Sequence, residues 1–414
     1  MFKRHSKIFT VSICDNCLGR QYAQLLSGYS NDQRGAILRR SAAIALDGGI
    51  IEDKDIEPSN FTGFTFRQNK DFGKRVKKYS DSKCGVCNDF FKNIDKTIQK
   101  IVHAVKGTEF ATFLIGTIPS RELLEREEQS WEQIGIDFCE HIRAEINREV
   151  GKRLEQALNK RANLKNPEVS IILNLERGKI EVKRNPLFIF GYYNKLKRGF
   201  PQCKWGTPKK YRTSVEQQVG GPILKASLGR DHKFHGAGRE DIDAICLGKR
   251  AFVLEIVQPK KRNLDLKKLT KQINKSKKVE VFSLKISDMN TVRAIKSARH
   301  QKTYRALVKT SKIIKRSDLR KLIKLKGKIK QRTPQRVSHR RPDLMRKRTV
   351  LSIKTKFKNS RSFELIVKTD AGLYVKELVS GDAGRTIPSV RSLLGVQSVV
   401  KALDVIKIEK IKVK

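Results

Sequence analysis

Two short motifs, "CDNC" at residues 14–17 and "CGVC" at 84–87, constrain this chain more than any other feature. Each puts two thiols on one tight turn. Together they supply four, the number a tetrahedral Zn²⁺ takes at Zn–S distances of about 2.3 Å. Residues 18–83 lie between the motifs, 66 in all, so one metal bound by Cys14, Cys17, Cys84 and Cys87 would staple two distant segments. With all four positions filled by protein and none left for water, such a zinc is structural. The other readings are a disulfide pair or free thiols, and disulfides are disfavoured in a reducing compartment. Cys139, Cys203 and Cys246 are isolated and read as small core residues.

Charge narrows the partner. Lys and Arg number 90 against 42 Asp and Glu, a formal charge of +48 over 414 residues. A folded chain tolerates that self-repulsion most readily when its partner is a polyanion, and nucleic acid is the obvious one. The charge is uneven. Residues 301–350 carry 19 Lys or Arg against Asp318 and Asp343, whereas residues 121–150 carry nine acids against four arginines. No run approaches the roughly 18 apolar residues that span a bilayer. The start, "MFKRHSKIFTVSICDNC", lacks a long apolar signal core. These features point to a cytoplasmic protein with no membrane partner.

The length allows two or three domains. Residues 1–185 read as an accessory α+β domain. "LGRQYAQLLSGYSNDQRGAILRRSAAIAL" suggests two helices broken at "GYSN". "NDFFKNIDKTIQKIVHAV" reads as a helix and "FATFLIGTI" as a strand. Residues 121–162 are helical, and "VSIILNLERGKIEVKRNPLFIFG" is a strand pair turning at "ERGK". Residues 186–414 read as a second domain, a mixed, mostly antiparallel sheet with helices on one side. It opens with a basic, aromatic segment, "GYYNKLKRGFPQCKW", suited as a loop to phosphates and stacked bases. A hairpin is expected to turn at "LGKR", residues 247–250, and "RSDLRKLIKLK" is expected to be a helix.

The stretch "HGAGREDIDA", residues 235–244, gathers Glu240, Asp241 and Asp243 beside two glycines. A phosphate-cradling loop is excluded, because Glu240 and Asp241 would sit where the anion belongs. A metal-dependent nuclease would pair Asp241 or Asp243 with Glu255, yet Val257 stands where that class places a lysine. The third reading is one catalytic aspartate on a glycine-bearing loop, with Arg239 handling RNA.

"GREDIDA" resembles the aspartate motif of pseudouridine synthases, with Glu240 in place of a threonine. In the expected order follow Tyr304 in "KTYRALV" and Lys376 and Leu378 in "GLYVKEL". With the cysteine motifs, "FLIGT", "YNKLKRGFPQ", "QRTPQRVSHRRPD" and "SGDAGRTIPSV", nearly the whole chain resembles the archaeal and eukaryotic Pus-ten family of tRNA pseudouridine synthases, which carry a THUMP-containing N-terminal extension. The resemblance implies the synthase fold in residues 186–414 and tRNA binding by residues 1–185. It implies isomerisation of uridine 55, and of uridine 54, in the tRNA T loop, without a catalytic or other small-molecule cofactor. Asp241 would act on the ribose as nucleophile or base. Tyr304 would stack on the extracted base, Lys376 would pair with Asp241, and Leu378 would contact substrate. Arg239 would fill the vacated space or grip phosphate. Glu240 is expected to face outward or to bind an arginine. His235 and His339 are structural groups or RNA contacts. Gly19, Arg20, Asn31, Arg34 and Gly35 fit the family pattern without assigned contacts. A non-catalytic RNA-binding protein and the nuclease are the alternatives.

Overall fold

A computed structural model describes residues 7–79, 82–203 and 211–409. The chain divides into two compact units, Met1–Asn185 and Pro186–Lys414. Lys204 and Trp205, at the end of the basic aromatic segment, lie outside the described residues.

In the first unit a helix, Asp15–Arg20, starts inside the first cysteine motif and ends at Arg20. It is shorter than expected, because residues 21–28 continue as turns. The next helix, Asn31–Asp47, opens on a capping box in which the Ser30 N–H donates to Gln33 at 2.9 Å. The two helices touch backbone to backbone. A Cβ at Gly19 would lie 1.8 Å from the Asn31 carbonyl oxygen, and one at Gly35 would lie 1.9 Å from that of Asp15. Only glycine permits this approach.

The helix after the second motif is Ile94–Val105, not the longer span expected. Asn88 and Asp89 take left-handed φ values of 51° and 61°. The Asp89 carboxylate accepts the Cys84 N–H at 2.9 Å, so this stretch remains part of the cysteine turn.

Four strands complete the unit: β1 (Thr112–Ile118), β2 (Arg161–Ala162), β3 (Val169–Asn174) and β4 (Lys179–Arg184). They lie in the order β2-β1-β3-β4. β1 runs parallel to β2 and β3, and β3–β4 is an antiparallel hairpin. Parallel neighbours need a crossover, here the helices Arg121–Ile134 and Ile142–Leu158. The second helix buries Ile142, Ile146, Val150 and Leu154 completely, an i, i+4 stripe on one face.

Among the described residues the second unit holds ten strands: β5 (Leu187–Lys195), β6 (Asp231–Gly236), β7 (Ala244–Val257), β8 (Val279–Ser287), β9 (Lys302–Thr310), β10 (Gly327–Arg332), β11 (Met345–Asn359), β12 (Ser362–Thr369), β13 (Thr386–Ile387) and β14 (Ser398–Ile408). Their order is β13-β10-β11-β12-β9-β14-β7-β5-β8, with β6 beside β7. Every described pairing is antiparallel except β7–β14. The fold is thus the expected mixed, mostly antiparallel sheet.

Several local expectations are corrected. "GYYNK" is the end of β5, with Tyr193 and Lys195 fully buried, so these residues cannot stack on bases. "LGKR" lies inside the continuous strand β7, and the hairpin turn is instead residues 237–243, joining β6 to β7. Arg316–Leu325 is 3₁₀ rather than α-helical. A helix at Val215–Ser227 is present despite Gly220, Gly221 and Pro222. The helices Val375–Ser380 and Val390–Leu394 cover one half of the sheet, while Val215–Ser227 and Leu266–Asn274 cover the other. The helix Met289–Ser297 packs on Ala251 and Val253, which alternate along β7 with Phe252 and Leu254. That helix therefore lies on the opposite sheet face, and the helices are not all on one side. Among the described residues no helix is long and apolar enough to cross a membrane.

Candidate active site

The β6–β7 turn delivers Asp241, and the residues beneath it fix its path. Gly238 has φ +81°, a conformation that costs glycine little. Its carbonyl accepts from Gln202 at 3.0 Å, and the Ala237 carbonyl accepts from Arg250 at 3.0 Å. The fully buried Lys195 donates to the carbonyls of Asp241 (3.2 Å) and Ile242 (2.9 Å). Glu240 points inward. Its Oε2 lies 3.1 Å from Arg250 Nε, and it accepts from Tyr193 Oη at 2.9 and 3.1 Å. Both charged side chains are 0–1% exposed. Of the two expectations for Glu240, the arginine pairing is the one observed. A buried charge without its partner is strongly destabilising, so this pair anchors the turn.

Asp241 is left at the tip, with 35% of its side chain exposed. Lys376 Nζ lies 3.3 Å from Asp241 Oδ2 and 2.9 Å from both oxygens of Asp243. One lysine thus bridges two carboxylates of the loop. Partial burial acts against the ionised form of Asp243, yet the bond and charge of Lys376 hold its carboxyl below the ordinary range. A second cation, which the sequence did not single out, is Arg336, whose Nη1 is 3.6 Å from Asp241 Oδ1.

Tyr304, on β9, is half-buried. Burial, opposed by Arg250 and assisted by Cys246 and Asp241, pushes its phenol up to about 12. It is therefore neutral near pH 7. Lys302, two residues earlier on the same strand, is pushed down to about 8 by burial and by Arg250. Arg239 is an exposed residue of the turn. Leu378 is a correction: it is fully buried in the core cluster under the helix Val375–Ser380 and presents no surface to a substrate. Two residues along an α-helix turn the side chain by about 200°, so a helix that aims Lys376 at Asp241 sends Leu378 the other way. The structure brings Asp241 and Lys376 together, and Tyr304 lies where the charge of Asp241 acts on its phenol.

Glu255, which the nuclease reading needs, lies 11 residues along β7 from Ala244, roughly 36 Å at strand rise. It is occupied by His235 (2.9 Å) and Lys233 (3.1 Å). That reading has no assembled site, and His235 is structural. His339 is exposed on the 3₁₀ segment Gln335–Arg340.

In the first unit the four sulfurs of Cys14, Cys17, Cys84 and Cys87 lie within 4.8 Å of one another, and none forms a disulfide. The Cys14 and Cys87 sulfurs are 3.6 Å apart, against the edge of about 3.8 Å that a ZnS₄ tetrahedron requires. Backbone N–H groups of Cys14 and Cys87 donate to Cys84 Sγ at 3.3 and 3.5 Å. Arg20, fully buried, donates to Cys17 Sγ at 3.4 Å and to Glu145 at 3.1 Å, and lies 3.5 Å from Glu127. Donors aimed at sulfur favour thiolates, and the residues fit a tetrahedral metal. The acids Glu127 and Glu145 thus serve this centre. Asn31 bonds Glu140 (2.7 Å), and Arg34 bonds the carbonyls of Leu25 and Leu26, so both are structural.

Comparison with known proteins finds relatives along nearly the whole chain. The family model for the Pus10 C-terminal domain matches residues 188–409, and that for the archaeal Pus10 THUMP domain matches residues 98–174. The tRNA pseudouridine synthase Pus10 of Methanothrix thermoacetophila is 39% identical over 416 residues, spanning 96% of this chain and 91% of its own. That of Methanocaldococcus jannaschii is 39% identical over 427 residues (96% and 92%), and that of Pyrococcus furiosus 35% over 402 residues (96% and 94%). A chain matched nearly end to end by these relatives, and by both family models, belongs to the Pus10 family of tRNA pseudouridine synthases.

Proposed function

We propose that this chain isomerises uridine to pseudouridine in the T loop of tRNA in the cytoplasm, at position 55 and also at position 54. The observation that carries the reading is the Asp241 carboxylate at the tip of an anchored turn, ion-paired to Lys376 and Arg336, with Tyr304 close enough to feel its charge. The target base must leave the RNA stack to reach it. Asp241 then engages the ribose, as nucleophile at C1′ or as base. The N1–C1′ bond breaks, the uracil turns, and C5–C1′ forms while C5 loses a proton and N1 gains one. Nothing is oxidised or hydrolysed, so the residues alone suffice. Lys376 balances the charge of Asp241 as that charge is used. Tyr304, a neutral phenol, offers its ring face to the base and its O–H as a donor. Arg239, exposed on the same turn, enters the space the base leaves or holds phosphate.

The four cysteines hold one zinc ion in this reading. The metal supplies no chemistry to the reaction. It ties the two cysteine turns together, and residues 1–185 present the tRNA-binding surface.

The experiment is incubation of the purified chain with an unmodified tRNA transcript in EDTA, reading pseudouridine as carbodiimide-blocked primer-extension stops. Wild type gives a T-loop stop, and Asp241→Asn gives none while still binding tRNA. Tight binding with no stop from wild type would make the chain a binding protein instead.

A further inference from the structure

Arg336 stands on the 3₁₀ segment Gln335–Arg340, which is pinned at its start by a Gln335 N–H to Asp382 bond of 3.1 Å and by the buried Val337. Its guanidinium is held by one edge only. Nε donates to Glu377 Oε1 at 2.6 Å, and Glu377 is 6% exposed with no partner for its Oε2 among the described residues. The other edge faces Asp241. At 3.6 Å that contact is ionic rather than a hydrogen bond. The nearer cation to Asp241 is Lys376. The Arg336 side chain is 39% exposed, and its terminal nitrogens make no hydrogen bond among the described residues. A guanidinium clamped from behind by a buried carboxylate, with its open fork beside a reactive group, is arranged to take two oxygens of an oxyanion.

We propose that Arg336, oriented by Glu377, binds a phosphodiester of the RNA strand next to the ribose that Asp241 engages. A ribose seated on Asp241 carries a phosphodiester on each side, a sugar's width away and within reach of the open edge. Glu377 is the positioning residue. It neighbours Lys376 on one short helix, so the same helix sets the cation on the carboxylate and the cation on the phosphate. This assignment rests on the reading of Asp241 as the group that engages the ribose.

The test uses the full chain and a tRNA transcript, measuring affinity across a salt series and the single-turnover rate at saturating RNA. Arg336→Met is expected to weaken binding about tenfold and to reduce the slope of log affinity against log salt by about 0.7–0.9. Because Arg336 also pairs with Asp241, the rate at saturation falls as well, so affinity and salt slope carry the test. Arg336→Lys keeps the slope but loses part of the affinity, because an ammonium cannot chelate two oxygens. Glu377→Ala reproduces most of the loss, and Arg336→Met/Glu377→Ala is no worse than Arg336→Met alone. The double variant leaves no unpaired buried carboxylate, so it carries the test if the single variant misfolds. Unchanged affinity and slope, or a rate loss at saturation with affinity intact, would overturn the assignment. Wild type and Asp241→Asn run alongside. Absence of pseudouridine with wild type sinks the isomerase reading, while the affinity arms still decide Arg336.

Discussion

Lys302 holds a positive charge beneath the β6–β7 turn, and no ion pair to it exists among the described residues. A Cβ on Gly238 would come within 3.0 Å of its Nζ. Its amine titrates near 8 in the folded chain, pushed down by burial first and Arg250 second; an unfolded lysine titrates near 10.4. Between those values the unfolded chain binds more protons, so this group's contribution to stability rises with pH there. Below about pH 8 its cost is complete. Lys302→Met should therefore raise the Tm at pH 7, and the gain should shrink by pH 10.5. Calorimetry at both pH values checks this, and equal gains at both would contradict it. At this scale the sequence was informative where a motif set residues at fixed spacing. Asp241 and Lys376 do meet, and the charge of Asp241 reaches Tyr304. Leu378 was misread although helical phase alone sends it away from Lys376. Arg336 lies inside the motif "QRTPQRVSHRRPD", yet nothing in the sequence sets it apart from the other basic residues there. Only the fold shows which of them faces Asp241.

At the scale of elements, the cysteine turns and the helices they start behave as one object. The helices Asp15–Arg20 and Asn31–Asp47 are in backbone contact through Gly19 and Gly35. Gly19→Ala must push them apart, at a cost of about 3 kcal/mol, the upper end for overpacking. Urea unfolding followed by circular dichroism measures it. Metal analysis of the pure protein should return about one zinc per chain. Cys84→Ser should lose the metal and lower the first unfolding transition, whereas a folded, metal-free wild type would remove zinc from the account. Strands with period-two burial, such as β1, were recoverable from the sequence because the pattern is local. β7 was cut in two at "LGKR" because glycine beside two cations has the composition of a turn. The strand nevertheless continues through them: Cys246 pairs with Lys195 and Arg250 with Tyr193 on β5, more than 50 positions earlier in sequence, and the ladder is irregular in between.

For the molecule as a whole, the +48 charge predicts binding dominated by phosphate contacts. Raising salt from 50 to 200 mM should weaken tRNA binding by about 100-fold or more, measurable by filter binding; a flat response would argue against a polyanion as the main partner. The acidic stretch 121–150 does not contradict this. Glu127 and Glu145 are buried around Arg20, and Glu140 pairs with Asn31 and Arg148. Composition gave the sign of the partner, but not which acids were withdrawn from the surface.

The strand order has one more consequence. Among the described residues, β14 sits between β9 and β7 and is the only strand that joins the half of the sheet bearing Tyr304 and Lys376 to the half bearing Asp241. The two halves of the sheet are thus joined through residues 398–408, which follow all three candidate residues in sequence. In the proposed reading the pairing of Asp241 with Lys376 therefore depends on a strand that contributes neither residue, so a substitution that loosens β14 would separate the two without touching them.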